Sequence, residues 1–404
     1  MDNWLALFDG QTRYFLDIFD SPVKPDVLRF RGREALSEPF RWDIEFTTPQ
    51  ANIPPEQVLM KYATFRMRSG KSVHGRVTRL EWLSTSKDQS HYRLTLSSRL
   101  ALLGYTRQCA VFQNQSVPEV VEQVLRRHGL EGPDFEFRLA RTYPPREIIT
   151  QWRETDLEFI RRILSEVGIY WRTEMDDVRG LDTYIFADSQ LNYRFDVRLP
   201  YSEPSGLFDG AAESVWDVRT WHRVATGTVA TRDYNYRTAS TPMDATVSVR
   251  NDAVTTGEYY RYAAPYRDAG DDTSPEPETE SGAFYARIHH ERELNKSARI
   301  HLFSNAAHLT PGHPRCTHGL YTTCKRWTKA QVSRRTFLLS ARWKCLKPDL
   351  WGRQNLRFLR YPHTLLFITL RPVHLRVWPY ETLLYRSVIW SAVTHQPAGA
   401  CRYR

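Results

Sequence analysis

Three short runs carry residue types that do chemistry, and each fails at the spacing its chemistry requires. Gly70-Lys71-Ser72 ends like a phosphate-binding loop, but the position five residues before Gly70, where such a loop needs a second glycine to wrap its amides around phosphate, is Phe65. A hairpin turn is the expectation there. His289-His290-Glu291 offers part of a zinc-protease helix, yet Leu294 stands where the second ligand, one turn after His290, should be. These three are expected to be solvated polar residues on a helix. Glu154, Asp156 and Glu158 bring carboxylates together, but acid–base pairs work across a cleft, whereas these cluster at one exposed helix start. Capping and the helix dipole account for them.

The remaining candidates are weaker. Cys316, His318, Cys324 and Cys345 contain no paired-cysteine knuckle at zinc-ligand spacing, and Cys109 reads as a core residue. Ser72 lies in Gly-Lys-Ser-Val-His and not in a nucleophile elbow. The sequence therefore assigns no catalytic, cofactor-binding or metal-binding residue, implies no cofactor, and points away from an enzyme.

What the chain does specify is a scaffold. In Gln151–Trp171, Thr155 and Glu158 form a capping box, Phe159, Ile160, Ile163, Leu164 and Val167 repeat at helical spacing, Gly168 stops the helix, and a strand follows from Ile169 to Thr173. Ser116 with Glu119 caps a second helix whose apolar face is Val117, Val120, Val121, Val124 and Leu125, ended by Gly129. Before these helices the pattern is strand: Phe40, Trp42, Ile44 and Phe46 alternate with Arg41, Asp43 and Glu45, and Tyr92, Leu94 and Leu96 repeat the period. Strand spacing resumes at Tyr184 and Phe186, then at Val215, Val218 and Trp221. Tyr266 to Gly282 is acidic and rich in Pro, Ser and Gly, the composition of a mobile loop. A helix over Phe284 to Asn295 and a strand over Arg299 to Phe303 follow.

Composition then divides the chain. From His313 onward there are 17 Lys and Arg against 2 acids, leaving 39 against 44 before it, so the overall +10 is a mildly acidic body joined to a strongly basic tail. The tail's prolines (Pro348, Pro362, Pro372, Pro379) surround runs as apolar as Leu365 to Leu370, unlike a balanced soluble domain. The first reading is a shifted reading frame or other non-native replacement. The alternative is a nucleic-acid-binding module with Trp327, Trp343, Trp351 and Tyr361 as stacking platforms. A fused toxic enzyme would have only Asp349 and Glu381 as tail carboxylates. With no signal peptide and no membrane-length apolar run, the protein is expected to start in the cytoplasm.

The ordered motifs resemble the Vgr family of type VI secretion spike proteins. They are Leu36-Ser37-Glu38-Pro39-Phe40, the strands from His74 to Leu103, Val111 to Leu125, Gln151 to Trp171, and Asp233 to Pro242; the similarity stops near Gly312. The resemblance implies an α+β, mainly β, phage tail-hub-like body: a first antiparallel β-barrel over 1–110, a small α+β unit with two capped helices over 111–190, and a second, incomplete barrel over 191–312 that contains the acidic loop 266–282. The basic Arg/Trp/Cys-rich tail, 313–404, has no fold the resemblance specifies. It further implies a homotrimer whose six barrels form a ring matching a hexameric inner tube below it, contact with baseplate components, effector or adaptor cargo, and secretion through the apparatus without membrane insertion by this chain itself. A chain that lacks the family's needle would be a defective spike, and the second barrel would expose a sheet edge.

Overall fold

A computed structural model describes residues 14–67, 69–193, 199–201, 213–249, 253–262 and 265–312, with the backbone of three strands in 337–394. The rest of the tail, including Cys316, His318 and Cys324 and the basic runs on which the frameshift and nucleic-acid readings rest, lies outside the described residues.

Alternation builds the first barrel. Strands β1 (Phe15–Ile18), β2 (Asp26–Ala35), β3 (Glu38–Thr48), β4 (Tyr62–Arg66), β5 (Ser72–Thr85) and β6 (Ser90–Ser97) pair antiparallel in the order β1-β4-β5-β6-β3-β2, and Phe15 against Asp26 closes the ring. Trp42, Ile44, Phe46, Leu94 and Leu96 are fully buried inside it, as the period-two reading requires. Closure removes the open edges that a sheet of this length would otherwise present. Gly32 makes room for the largest side chain: a Cβ there would lie 2.4 Å from the Trp42 ring.

The α+β unit follows without a break. It comprises β7 (Arg107–Gln115), α1 (Val117–Arg127), β8 (Phe135–Arg138), β9 (Arg146–Thr155), α2 (Asp156–Val167), β10 (Tyr170–Asp176) and β11 (Leu181–Ala187). β7 and β9 form a two-stranded ribbon, while β10, β11 and β8 form a sheet in which β8 runs parallel to β11. Both expected helices are present with their glycines in the left-handed region, Gly129 at φ 75° and Gly168 at φ 78°. Thr155 Oγ1 accepts from Glu158 N at 3.2 Å while Thr155 N donates to Glu158 Oε2 at 2.8 Å. At α1 the glutamate does the bonding: Glu119 accepts from both the amide and the hydroxyl of Ser116. All five apolar α1 residues are fully buried against α2, where Phe112 stacks on Phe159 at 5.5 Å.

Residues beyond 191 contribute to two sheets. β12 (Val215–His222) pairs with β16 (Ala298–Ser304), and β13 (Ala225–Arg232) lies between β14 (Asp244–Val247) and β15 (Thr255–Tyr262). The helix α3 (Gly282–Asn295) packs on β13 and β14. Of the tail, β17 (Phe337–Leu346) pairs with β2, β18 (Thr364–Pro372) joins β17 to β16, and β19 (Ala392–Thr394) pairs with β18. β16 is thus paired on both sides, by β12 and by β18. The acidic segment is a loop, and both its ends are fixed: Tyr266 donates to the Met243 carbonyl at 2.5 Å, and Glu280 is buried in an ion pair.

Gly32→Ala must push the Trp42 ring out of its site. It is expected to destabilise the barrel by about 1–3 kcal/mol, read as a lower urea midpoint for the full chain; an unchanged midpoint would show that the ring has room to move.

Candidate assembly surfaces

The barrel meets the α+β unit through buried polar groups. At the β2–β3 tip, Ser37 adopts φ 54° and clasps β10: its amide donates to the Trp171 carbonyl at 2.8 Å and its hydroxyl accepts from the Trp171 amide at 3.3 Å. Leu36 beside it packs with Tyr170, Ala187 and Tyr193. The Leu-Ser-Glu-Pro-Phe run and the strand after α2 are therefore two halves of one contact. Arg99, just past β6, makes a second. Its amide donates to Asp182 Oδ2 at 2.9 Å, its Nε to Asp182 Oδ1 at 2.7 Å, one Nη to Asp134 Oδ1 at 3.1 Å, and the same Nη to the Asp182 carbonyl. Tyr184 and Ser98 complete the node. Burial pulls the Asp134 carboxyl up, but hydrogen bonds from Arg99 and the Glu131 amide outweigh it and hold it below the usual carboxylate range. A third contact runs from His74, bonded to Thr64 within the barrel, to Asp177 at 2.8 Å.

The three helix-start carboxylates are not one exposed cluster. Only Glu158 is exposed; Asp156 is fully buried and Glu154 nearly so. Asp156 accepts from Gln108 Nε2 and Gln151 Nε2, both at 2.8 Å, and faces His128 Nε2 at 2.6 Å, so it ties the start of α2 to the β7–β9 ribbon and to the end of α1. Burial opposes its charge, yet these bonds keep its carboxyl below the ordinary range. Glu154 pairs with Arg162, which also reaches Glu166. Glu166 in turn meets Arg146, whose guanidinium also bonds Glu280 and the Tyr285 hydroxyl at 2.8 and 2.9 Å. This chain of ion pairs joins β9, α2 and α3, and every carboxylate in it has a structural partner.

Two further expectations are corrected by tertiary neighbours. His289, His290 and Glu291 are buried, because α3 lies between the β13–β14 sheet and α2 and has no solvated face to put them on. Cys109 is exposed, because it lies on the face of β7 turned away from Phe112, at the register shift against β9. Its Sγ accepts from the Arg153 amide at 3.4 Å. Gly70-Lys71-Ser72 is the β4–β5 hairpin turn, with Gly70 at φ 85°. Lys71 is buried against Glu34 at 3.0 Å and also donates to the Leu309 carbonyl at 3.3 Å; burial drives the Glu34 carboxyl up and the Lys71 amine down. The adjoining cleft of about 380 Å³ is lined by Glu34, Glu38, Glu174 and Asp177. Lys71 and His308 line the same cleft, and the Lys71 ammonium is committed to Glu34.

Among the large apolar side chains that face water in the described residues, two groups lie on the ribbon and on β15. On the outer face of the β7–β9 ribbon, Trp152 is 64% exposed, with Val111 and Ile148 beside it in the register, where Val111 opposes Thr150 and Gln113 opposes Ile148. On β15, Thr256 to Tyr260 are exposed in an unbroken run, and Tyr259, Tyr260 and Tyr262 project from a strand at the edge of its sheet. Exposed aromatics on strands with open edges are candidate surfaces for protein–protein contact.

A family profile described as phage tail baseplate hub (GPD) matches residues 33–319. The chain belongs to that hub family. The match ends just beyond Gly312, where the motif resemblance stops. The hub chain is 35% identical over 240 residues to the type VI secretion system spike protein VgrG5 of Pseudomonas aeruginosa, covering 58% of this chain and 30% of the relative. It is 28% identical over 306 residues to VgrG1b of the same organism, covering 73% of this chain and 39% of the relative. This hub chain thus spans less than half the length of those curated relatives. A solved structure of the E. coli c3393 protein, described as a component of the type VI secretion system with structural similarity to the T4 tail proteins gp27 and gp5, superposes with TM-score 0.62 at 29% identity, covering 95% of this chain and 79% of that one. The resemblance to Vgr spike proteins and the mainly β, tail-hub-like fold are both established by these matches. Among the described residues no helix is long and apolar enough to cross a membrane.

The hub's structural residues that sequence reasoning missed are Arg99, Asp182 and Arg146. Arg99 had a signal, a lone charge in the run from Ser97 to Leu103; Asp182 and Arg146 had none, since neither type nor spacing distinguishes them from surface charges. Arg99→Met leaves Asp182 buried without its cation and Asp134 with Arg179 alone, and is expected to cost the hub about 3–5 kcal/mol in urea unfolding; a cost below about 1 kcal/mol would show that water replaces the guanidinium. Acid tests the same contacts. Asp134 and Asp156 have folded pKa values below their unfolded ones, so their stabilisation is present above about pH 4 and is lost as pH falls through the lower, folded values. Urea midpoints should therefore drop steeply below about pH 4, and Asp156→Asn should shrink that drop.

Proposed function

We propose that this chain is the hub body of a type VI secretion spike, a structural component that works through assembled surfaces and not through catalysis. The observation that carries the reading is the closed six-stranded barrel clasped to the α+β unit by buried polar contacts, in a chain of the tail-hub family whose relatives VgrG5 and VgrG1b are spike proteins. A closed barrel on a stiff mount is the part needed to build a ring, because its outer wall keeps its angle to neighbouring copies. In this reading three copies associate so that their barrels match a hexameric inner tube, baseplate components hold the trimer, and effector or adaptor proteins ride on it. Assembly takes place in the cytoplasm and the spike leaves through the apparatus.

The exposed aromatics of the ribbon are the copy-to-copy contact in this reading. Trp152 has the size and exposure of an interface anchor, and Val111 and Ile148 lie on the same face. Light scattering of the purified full chain is expected to give three times the 47.4 kDa chain mass. Trp152→Glu is expected to weaken association by about 30-fold or more with an unchanged far-UV spectrum. A monodisperse monomer at tens of micromolar would sink the trimer, and a trimer indifferent to Trp152→Glu would move the contact elsewhere.

A further inference from the structure

Helix α3 has two packed sides. Ala283, Ala286 and His290, spaced along one face, meet the β13–β14 sheet, where the two alanines pack with Ala245 and Val247. Tyr285, Ile288 and Arg292 face the core shared with α2, and Arg292 donates to the Ser165 carbonyl at 3.2 Å. Few apolar contacts hold the sheet side, since alanines offer little area. Beside the Thr231 hydroxyl, which donates to the Gly282 carbonyl at 3.3 Å, His290 supplies two directional contacts: its Nδ1 faces the Val249 amide at 2.7 Å, just past β14, and its Nε2 faces the Thr226 carbonyl of β13 at 3.1 Å.

These partners fix the proton. A backbone amide only donates and a carbonyl only accepts, so His290 is the neutral ring with its hydrogen on Nε2. His289 is constrained in the same way, because its Nδ1 lies 3.1 Å from Arg292 Nη1 and a guanidinium only donates. In both rings the atom that would take up a proton is already occupied by a donor.

We propose that His289 and His290 form an acid-released latch that holds the β13–β15 sheet on α3. A proton arriving at His290 Nδ1 breaks the bond from the Val249 amide and sets two donors against each other. One arriving at His289 Nδ1 breaks its contact with Arg292 within α3 and sets a new cation against Arg292 and against Arg261 of β15. The sheet released is the one that carries Tyr259, Tyr260 and Tyr262, so the latch governs how that aromatic edge is presented.

The surrounding charges set the balance. Arg292 on α3 and Arg261 on β15 oppose a charge on His289, after burial, the largest cause. For His290 burial also dominates; the Thr226 carbonyl, Glu291 and Glu293 favour the charge without overcoming it. Glu291 is engaged by Arg287 and Glu293 by Lys296. From β13 and the segment after β14, the groups that face the ring are the Thr226 carbonyl and the Val249 amide. Both histidines therefore have folded pKa values below their unfolded ones. The open form binds more protons below about pH 6.5, and closure weakens as pH falls from there toward the folded values.

Hydrogen exchange of the full chain, with each rate corrected for its intrinsic pH dependence, tests the latch. Two histidines whose folded values lie below their unfolded ones raise the opening equilibrium of 225–232 and 244–249, by up to about 100-fold between pH 7.5 and 5.5. Barrel peptides over 40–48 should change less than about threefold under that same linkage, since the latch does not touch them. In His289→Asn with His290→Asn, the amide oxygens accept from the same donors but take up no proton, so the pH dependence should flatten. An unchanged opening equilibrium in the parent chain, or an equal rise in the double variant, overturns the latch. If the double variant does not fold, NMR of the imidazole carbons in the parent chain decides: protonation only together with lost sheet protection supports the latch, and protonation near pH 6.5 with protection intact overturns it.

Discussion

The buried guanidinium of Arg99 is the constraint on which the arrangement of this hub depends. It leaves the barrel at the end of β6 and is met by a side-chain carboxylate and a carbonyl of Asp182 and by Asp134, all from the α+β unit. An ion pair of this kind contributes little net stability once desolvation is counted, but it does penalise every arrangement in which its partners are apart. Hydrophobic contact would let the barrel rotate over the α+β unit at small cost. The bonds to Asp182 and Asp134, with the Ser37–Trp171 clasp some distance along the same junction, leave one orientation.

The same logic recurs inside the α+β unit. Arg146, Glu166, Arg162 and Glu154 link a ribbon strand to α2, and Glu280 and Tyr285 extend the chain to α3. Asp156 gathers the ribbon, α1 and α2 at one carboxylate. These residues have the composition of an active site and none of its geometry, because each charge is already matched by a partner. Among the described residues, the apolar groups that face outward include Trp152, Val111 and Ile148 on the ribbon and the tyrosines of β15. The chemistry of the chain is spent on holding shape, and its outward surface is suited to contact.

Local signals were legible in the sequence and tertiary ones were not. The alternation in Phe40–Phe46 located the barrel wall, and two capping boxes with terminating glycines located α1 and α2, because caps and periodicity act over a few residues. The burial of Asp156 was not legible: a capping role and a buried three-way junction look alike until Gln108, Gln151 and His128 arrive from elsewhere in the chain. His289-His290-Glu291 misled for the same reason, since a helix with packing on two sides needs polar residues that satisfy one another and shows no polar stripe. Cys109 misled because a lone cysteine carries no periodicity of its own, whereas alternation along β7 from the buried Phe112 turns it outward.

The acidic loop between β15 and α3 has a use that its composition hides. Tyr266 is anchored on the Met243 carbonyl, and Gly282 and Ala283 donate back to the Asp268 and Ala269 carbonyls, so the segment leaves and rejoins the body at nearly the same place. Its ends are stapled before the loop begins, and residues from Asp271 to Glu278 lie mainly on the surface. Chain length there is uncoupled from the packing beneath. This is the position at which the body can accept inserted sequence, whereas the two-residue Leu36-Ser37 turn, with its hydroxyl and amide committed to Trp171, can accept none.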